Sequence, residues 1–121
     1  MNMKLDILNF DDIVVPKASS KRDKIDSLML QGIINMINNA KAEGCYSVLA
    51  VQDEFVPKRV LQKLVDADYN LSIKVSPNKK FKVEVQWPEG SNGKILAAVK
   101  DSFIENTTLD KIYEKIIIRM F

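Results

Sequence analysis

No histidine occurs in this chain of 121 residues, and only one cysteine does. The first absence removes the side chain that most often serves as general base, nucleophile activator or zinc ligand near neutral pH. The second excludes an internal disulfide framework and fits a reducing compartment, with synthesis in a cytoplasm as the default. The four glycines never gather into a phosphate-cradling loop. No run approaches the ~20 apolar residues of a membrane span. Asp6 and Asp11 interrupt the N-terminal segment, which therefore does not read as a signal peptide. Charge of one sign is also missing. Eighteen Lys and Arg against sixteen Asp and Glu leave a net charge of +2, without the strong basic excess of a typical nucleic-acid binder.

What is present is good globular patterning. Apolar residues make up 46% of the chain and charged residues 28%, and this length suits one domain that needs no disulfide or metal to stay folded. Residues 1–17 read as an N-terminal arm and 18–121 as a single α+β domain. The arm is rich in apolar groups (Leu5, Ile7, Leu8, Phe10, Ile13, Val14, Val15) but shows no helical period. It packs on its own domain or docks on a neighbouring subunit.

After Pro16, Ser19 or Ser20 supplies an N-cap, and Ile25, Leu28, Met29, Gly32, Ile33, Met36, Ile37 and Ala40 recur at helical spacing. Gly44 closes that helix, predicted over 20–43. At about 36 Å it is long for one small sheet to cover. Asn35, Asn38 and Asn39 lie beside the stripe, facing solvent or a partner. Cys45–Gln52 reads as a strand with Tyr46, Val48 and Ala50 on one side and Cys45, Ser47, Leu49 and Val51 on the other. Pro57 opens a second helix over 57–67.

Tyr69, Leu71, Ile73 and Val75 then alternate with polar residues. Phe81, Val83, Val85 and Trp87 repeat the alternation after a Pro77-Asn78 turn. This predicts a hairpin with one buried and one wet face. The unit from Cys45 to Val75 should be a right-handed parallel crossover if its strands share a sheet. Residues 94–104 fit helix or strand equally. A last helix starts near Thr107 or Thr108. The fold class is α+β: a small mixed sheet, built from a βαβ unit plus a hairpin, packed on a long N-terminal helix, with a C-terminal helix.

The segments INNAKAEGCYSVLAVQ, VPKRVLQKLVDADYNLSIKV and KKFKVEVQW resemble a pattern of short tailed-bacteriophage proteins. There a helix ends at glycine, a Tyr-Ser-Val strand follows, then a helix, a tyrosine-led strand and a strand ending in tryptophan. Gly44, Tyr46, Ser47, Val48, Pro57, Tyr69 and Trp87 match. Asp68 and Gln86 depart, standing where glycine and a small residue are common. The resemblance covers just over half the chain. It implies a phage origin with a virion or accessory role, and it carries over no catalytic residue.

Candidate chemistry is sparse. The carboxylate pairs Asp11-Asp12, Asp53-Glu54 and Asp66-Asp68 lack a supporting base or second motif. Asp53-Glu54 ends a strand, where ligands often bind, but it also precedes a helix, where acids belong for structural reasons. Cys45 reads as a small buried hydrophobe, since nothing is present to generate its thiolate. Lys74, Lys79, Lys80 and Lys82 cluster at the hairpin, where lysines commonly protect exposed strands. No aromatic residues interleave with them, which disfavours nucleic acid as partner.

The expectation is therefore a non-enzymatic phage structural or assembly protein, made in the host cytoplasm and residing in the virion. No catalytic residue, metal, cofactor, small-molecule substrate or membrane is implied. Its partners are other protein subunits, including its own copies. The alternative is a small phage accessory protein that binds and inhibits a host enzyme or defence protein. The expected interface residues are Leu5, Ile7, Leu8, Phe10 and Ile13 of the arm and Ile118 and Phe121 of the last helix, where Ile116-Ile117-Ile118 makes the helix end apolar all round.

Overall fold

The structure, a computed structural model, describes the backbone of residues 20–99, 102–105 and 107–118 and the side chains of 23–99 and 107–116. The expected interface positions Leu5, Ile7, Leu8, Phe10, Ile13 and Phe121, and the side chain of Ile118, lie outside these residues.

The first helix, α1, spans Ser20–Ala42, with Asp23 in its first turn and Lys41 in its last, each matched to the helix dipole. It stops in a paired backbone motif. Gly44 at φ +80° donates to the Lys41 carbonyl at 3.0 Å, and Cys45 donates to Ala40 at 2.9 Å. Strand β1 (Ser47–Glu54) follows, then α2 (Lys58–Asp66), capped by Pro57 in extended backbone. The same C-terminal motif ends α2, now with Asp68 at φ +70°: Asp68 donates to Val65 and Tyr69 to Leu64. Next come β2 (Asn70–Val75), β3 (Phe81–Gln86), β4 (Ile95–Val99), β5 (Ser102–Glu105) and α3 (Leu109–Ile118). The Thr108 hydroxyl accepts from the Lys111 N–H at 3.3 Å and caps α3. The ambiguous stretch 94–104 thus supplies strands, not a helix.

The five strands form one mixed sheet in the order β1-β3-β2-β4-β5. The hairpin β2–β3 pairs in the register that its alternation predicts, from Asn70 opposite Gln86 to Val75 opposite Phe81. Because β3 runs antiparallel to both β1 and β2, those two are parallel, as a crossover requires. They are not neighbours: β3 is inserted between them.

A second difference lies in β1. A register shift between Leu49 and Val51 lets both Ala50 and Val51 face the core, while Leu49 turns out to solvent. The expected grouping of Val51 with Leu49 therefore fails at this bulge. Tyr46, grouped by alternation with Val48 and Ala50, is exposed while Ala50 is buried.

Helices cover one sheet face. Leu71, Ile73 and Val75 of β2, Phe81, Val83 and Val85 of β3 and Ile95, Ala97 and Val99 of β4 meet Val60, Leu61 and Leu64 of α2 and Leu109, Ile112 and Ile116 of α3. The opposite face carries Ser72, Lys74, Lys82, Glu84 and Gln86. α1 packs on β1, at the edge of the sheet, and beside α2.

Candidate interaction surface

The placement of α1 decides which of its apolar residues are buried. Ile33, Ile37 and Ala40 face β1 and the core. On the flank towards α2, Arg59 donates its Nε–H to Asp26 at 2.6 Å and its Nη1 lies 2.8 Å from Asp23. Asp26 is buried and Arg59 is half exposed. The two helices leave an open groove of about 670 Å³, lined by both Asp residues and by Lys58, Arg59, Gln62 and Lys63. The acids there are committed to Arg59. Hydrogen bonding to Asp26, above all, holds the guanidinium above its already high ordinary pKa. The groove is thus a helix-to-helix clamp in which Asp23 and Asp26 already have a partner in Arg59.

Among the described residues the other flank of α1 has no such neighbour. At about 100° per residue, Ile25, Leu28, Gly32 and Met36 fall on the side turned away from α2. That side overhangs the outer edge of β1, which no described strand pairs. Leu28 is 64% exposed, Ile25 54% and Met36 45%. The continuous stripe expected from spacing therefore splits, with Ile33, Ile37 and Ala40 inside and Ile25, Leu28 and Met36 outside. A single edge strand is too narrow to cover both.

Four of the described large hydrophobics left exposed are on α1 (Ile25, Leu28, Ile34, Met36), and the other three are Tyr46, Leu49 and Phe55. Ile25, Leu28 and Met36 share the outer flank of α1, and Tyr46 and Leu49 lie just before and within β1. Soluble domains seldom concentrate exposed apolar groups this way without using them.

Gly32 sharpens the picture. A glycine inside a helix costs roughly 1 kcal/mol relative to alanine. Among the described residues nothing requires it, because a Cβ built there meets no atom within 4 Å.

The residues singled out from sequence are scattered. Asp53 is exposed at φ +68°, with its carboxylate 3.9 Å from Lys80 Nζ. Asp66 accepts from Gln62, and Asp68 serves as the turn residue after α2. Cys45, read as a buried hydrophobe, is exposed: it follows the glycine that ends α1 and precedes the sheet. Lys74 and Lys82 stand directly opposite each other on the open face, beside Lys80 and Asp53 around a depression of about 350 Å³. Trp87 is half-buried, edge-on to Tyr69 at 5.9 Å, and Lys41 lies over both rings and bonds the Tyr69 hydroxyl. Among the described residues no group of three or more Cys, Asp or Glu could hold a metal ion. No described helix is long and apolar enough to cross a membrane.

No protein-family model, curated protein or solved structure matches the chain.

Spacing alone groups Gly32, Leu28 and Met36 with the core stripe, and the length of the helix shows that part of the stripe stays uncovered without showing which residues. The signal that distinguishes them is charge. From Ser27 to Ala40, nearly four helical turns, no residue is charged. The solvated side of such a helix would ordinarily carry charges.

Proposed function

We propose that this protein is a non-enzymatic structural or assembly subunit that works through protein–protein contacts, with the α1–β1 edge as its contact surface. The observation that carries the reading is the outer flank of α1: three large apolar side chains about half exposed or more, on a helix with no charge for fourteen residues. Interface cores are likewise depleted of charge and enriched in large apolar side chains, Met included. The assignment to a tailed phage, and to the virion in particular, rests on the resemblance carried by Gly44, Tyr46, Ser47, Val48, Pro57, Tyr69 and Trp87.

The test is an affinity purification of tagged protein from its native source, with wild type compared to Leu28→Lys/Met36→Lys. Recovery of particle or scaffold subunits at near-stoichiometric levels by wild type, and their loss in the variant, is the expected result. Recovery of one cellular enzyme instead would replace this reading with that of an inhibitor. If both proteins returned alone, the contact reading would fail.

A further inference from the structure

We infer that the outer flank of α1 is a homodimer interface, in which α1 crosses α1 of a second copy, antiparallel, at Gly32. This inference rests on the contact reading above and names the partner. Three observations lead to a copy of this chain.

The first is the glycine. Gly32 sits at the middle of the exposed stripe, with Leu28 and Met36 one turn to either side, and its missing side chain faces open space. Among the described residues an intrahelical or core role is thus absent, while an approaching helix would gain close backbone contact there, with Leu28 and Met36 as the walls of the notch.

The second is the lack of charge between Asp26 and Lys41. In a two-fold contact, every residue near the axis meets its own mate. A charged residue there would face a like charge. A heterologous partner imposes no such restriction, because it can answer a lysine with a carboxylate.

The third is the charge beyond the neutral stretch. Lys24 lies N-terminal to Gly32 and Glu43 lies C-terminal, both exposed. Pairing about Gly32 in antiparallel sense sets position 24 opposite position 40 and position 43 opposite position 21, so Lys24 of one copy comes within about 4.5 Å along the axis of Glu43 of the other, whereas parallel pairing would set Lys24 against Lys24. Opposite charges at the rim fix orientation.

The experiment is sedimentation of the full chain, together with a cross-linking variant. Wild type should sediment as a dimer at micromolar concentration. Gly32→Leu should weaken the dimer at least tenfold, while Lys82→Ser, on the open sheet face away from α1, should leave it intact. Gly32→Cys in a Cys45→Ser background should form a disulfide-linked dimer under mild oxidation. Circular dichroism controls for folding, and the open space at position 32 admits the new side chains.

A dimer unaffected by Gly32→Leu, with no 32-to-32 cross-link, would overturn this pairing while leaving the contact reading intact at another surface. A wild-type chain monomeric at 100-fold higher concentration would also overturn it. The affinity purification then decides separately whether the wider reading survives through a different protein. If residues 1–17 cover the flank instead, the chain is monomeric and a thiol at Leu28→Cys reacts slowly, which again overturns the pairing.

Discussion

Arg59 reaches across from α2 to donate its Nε–H to the buried carboxylate of Asp26 on α1, at 2.6 Å. The bond joins two helices that otherwise diverge around an open groove, and it is the partner that lets a carboxylate sit beneath α1.

Removing one member should therefore be worse than removing both. Arg59→Met leaves Asp26 buried without its cation, and the thermal midpoint should fall by about 5–10 °C. The double variant Asp26→Leu/Arg59→Met should recover much of that loss, because an apolar pair fills the same space. Calorimetry of the three proteins decides it. Equal losses in the single and double variants would show that the guanidinium is not what allows Asp26 to be buried.

Tyr113 makes a second long-range tie. Its hydroxyl donates to the Val56 carbonyl, and its ring packs at 5.8 Å from Phe81. Burial pushes the phenol well above its ordinary pKa, so the fold favours the neutral form. The unfolded chain releases this proton near pH 10 while the native state still holds it. The stabilisation is thus complete below pH 10 and is lost as pH rises further, by up to about 1.4 kcal/mol per unit. Tyr113→Phe should cost about 1 kcal/mol at neutral pH and should flatten the alkaline decline. Urea unfolding at pH 7, 10 and 11 measures both, and an unchanged slope in the variant would contradict the assignment.

Asp68 occupies a position that favours glycine. It sits at φ +70° just past α2, donating its N–H to Val65. Left-handed backbone costs an L residue roughly 1–2 kcal/mol, less for Asp, and part of any gain returns as unfolded-state entropy. Asp68→Gly should therefore raise stability by about 0.5–1 kcal/mol, read from the urea midpoint.

Much of this architecture is legible from local pattern. The hairpin follows from strict alternation over Tyr69–Val75 and Phe81–Trp87, since both strands bury one face and wet the other. The C-terminal end of α1 follows from Gly44. What local pattern does not reveal is non-local pairing. The bulge that turns both Ala50 and Val51 inward exists only in relation to β3, and the insertion of β3 between β1 and β2 leaves no mark on either strand. The stripe on α1 divides in two for the same reason. Spacing shows that Leu28, Ile33, Met36 and Ile37 lie near one another, but only the position of β1 at the sheet edge shows that two are covered and two are not. Asp26 was invisible because a helical carboxylate ordinarily looks solvated until its cation arrives from another element.

The open face of the sheet carries a pairing that should be easy to improve. Lys74 and Lys82 are direct cross-strand partners, and among the described residues neither has a carboxylate within ion-pair distance. Like charges in that arrangement destabilise a sheet, and opposite charges contribute roughly 0.2–1 kcal/mol. Lys82→Glu reverses the sign of the contact with Lys74, although it adds a neighbour of like charge in Glu84, two residues along the same face. A net gain of about 0.5 kcal/mol is expected at low ionic strength. Because both groups are exposed, the gain should shrink towards zero in 1 M salt, where screening acts within about 3 Å. Unfolding midpoints of wild type and variant at two salt concentrations test the claim. A gain that persists in high salt would assign the effect to strand propensity, and a loss at low salt would mean that Glu84 dominates the local field.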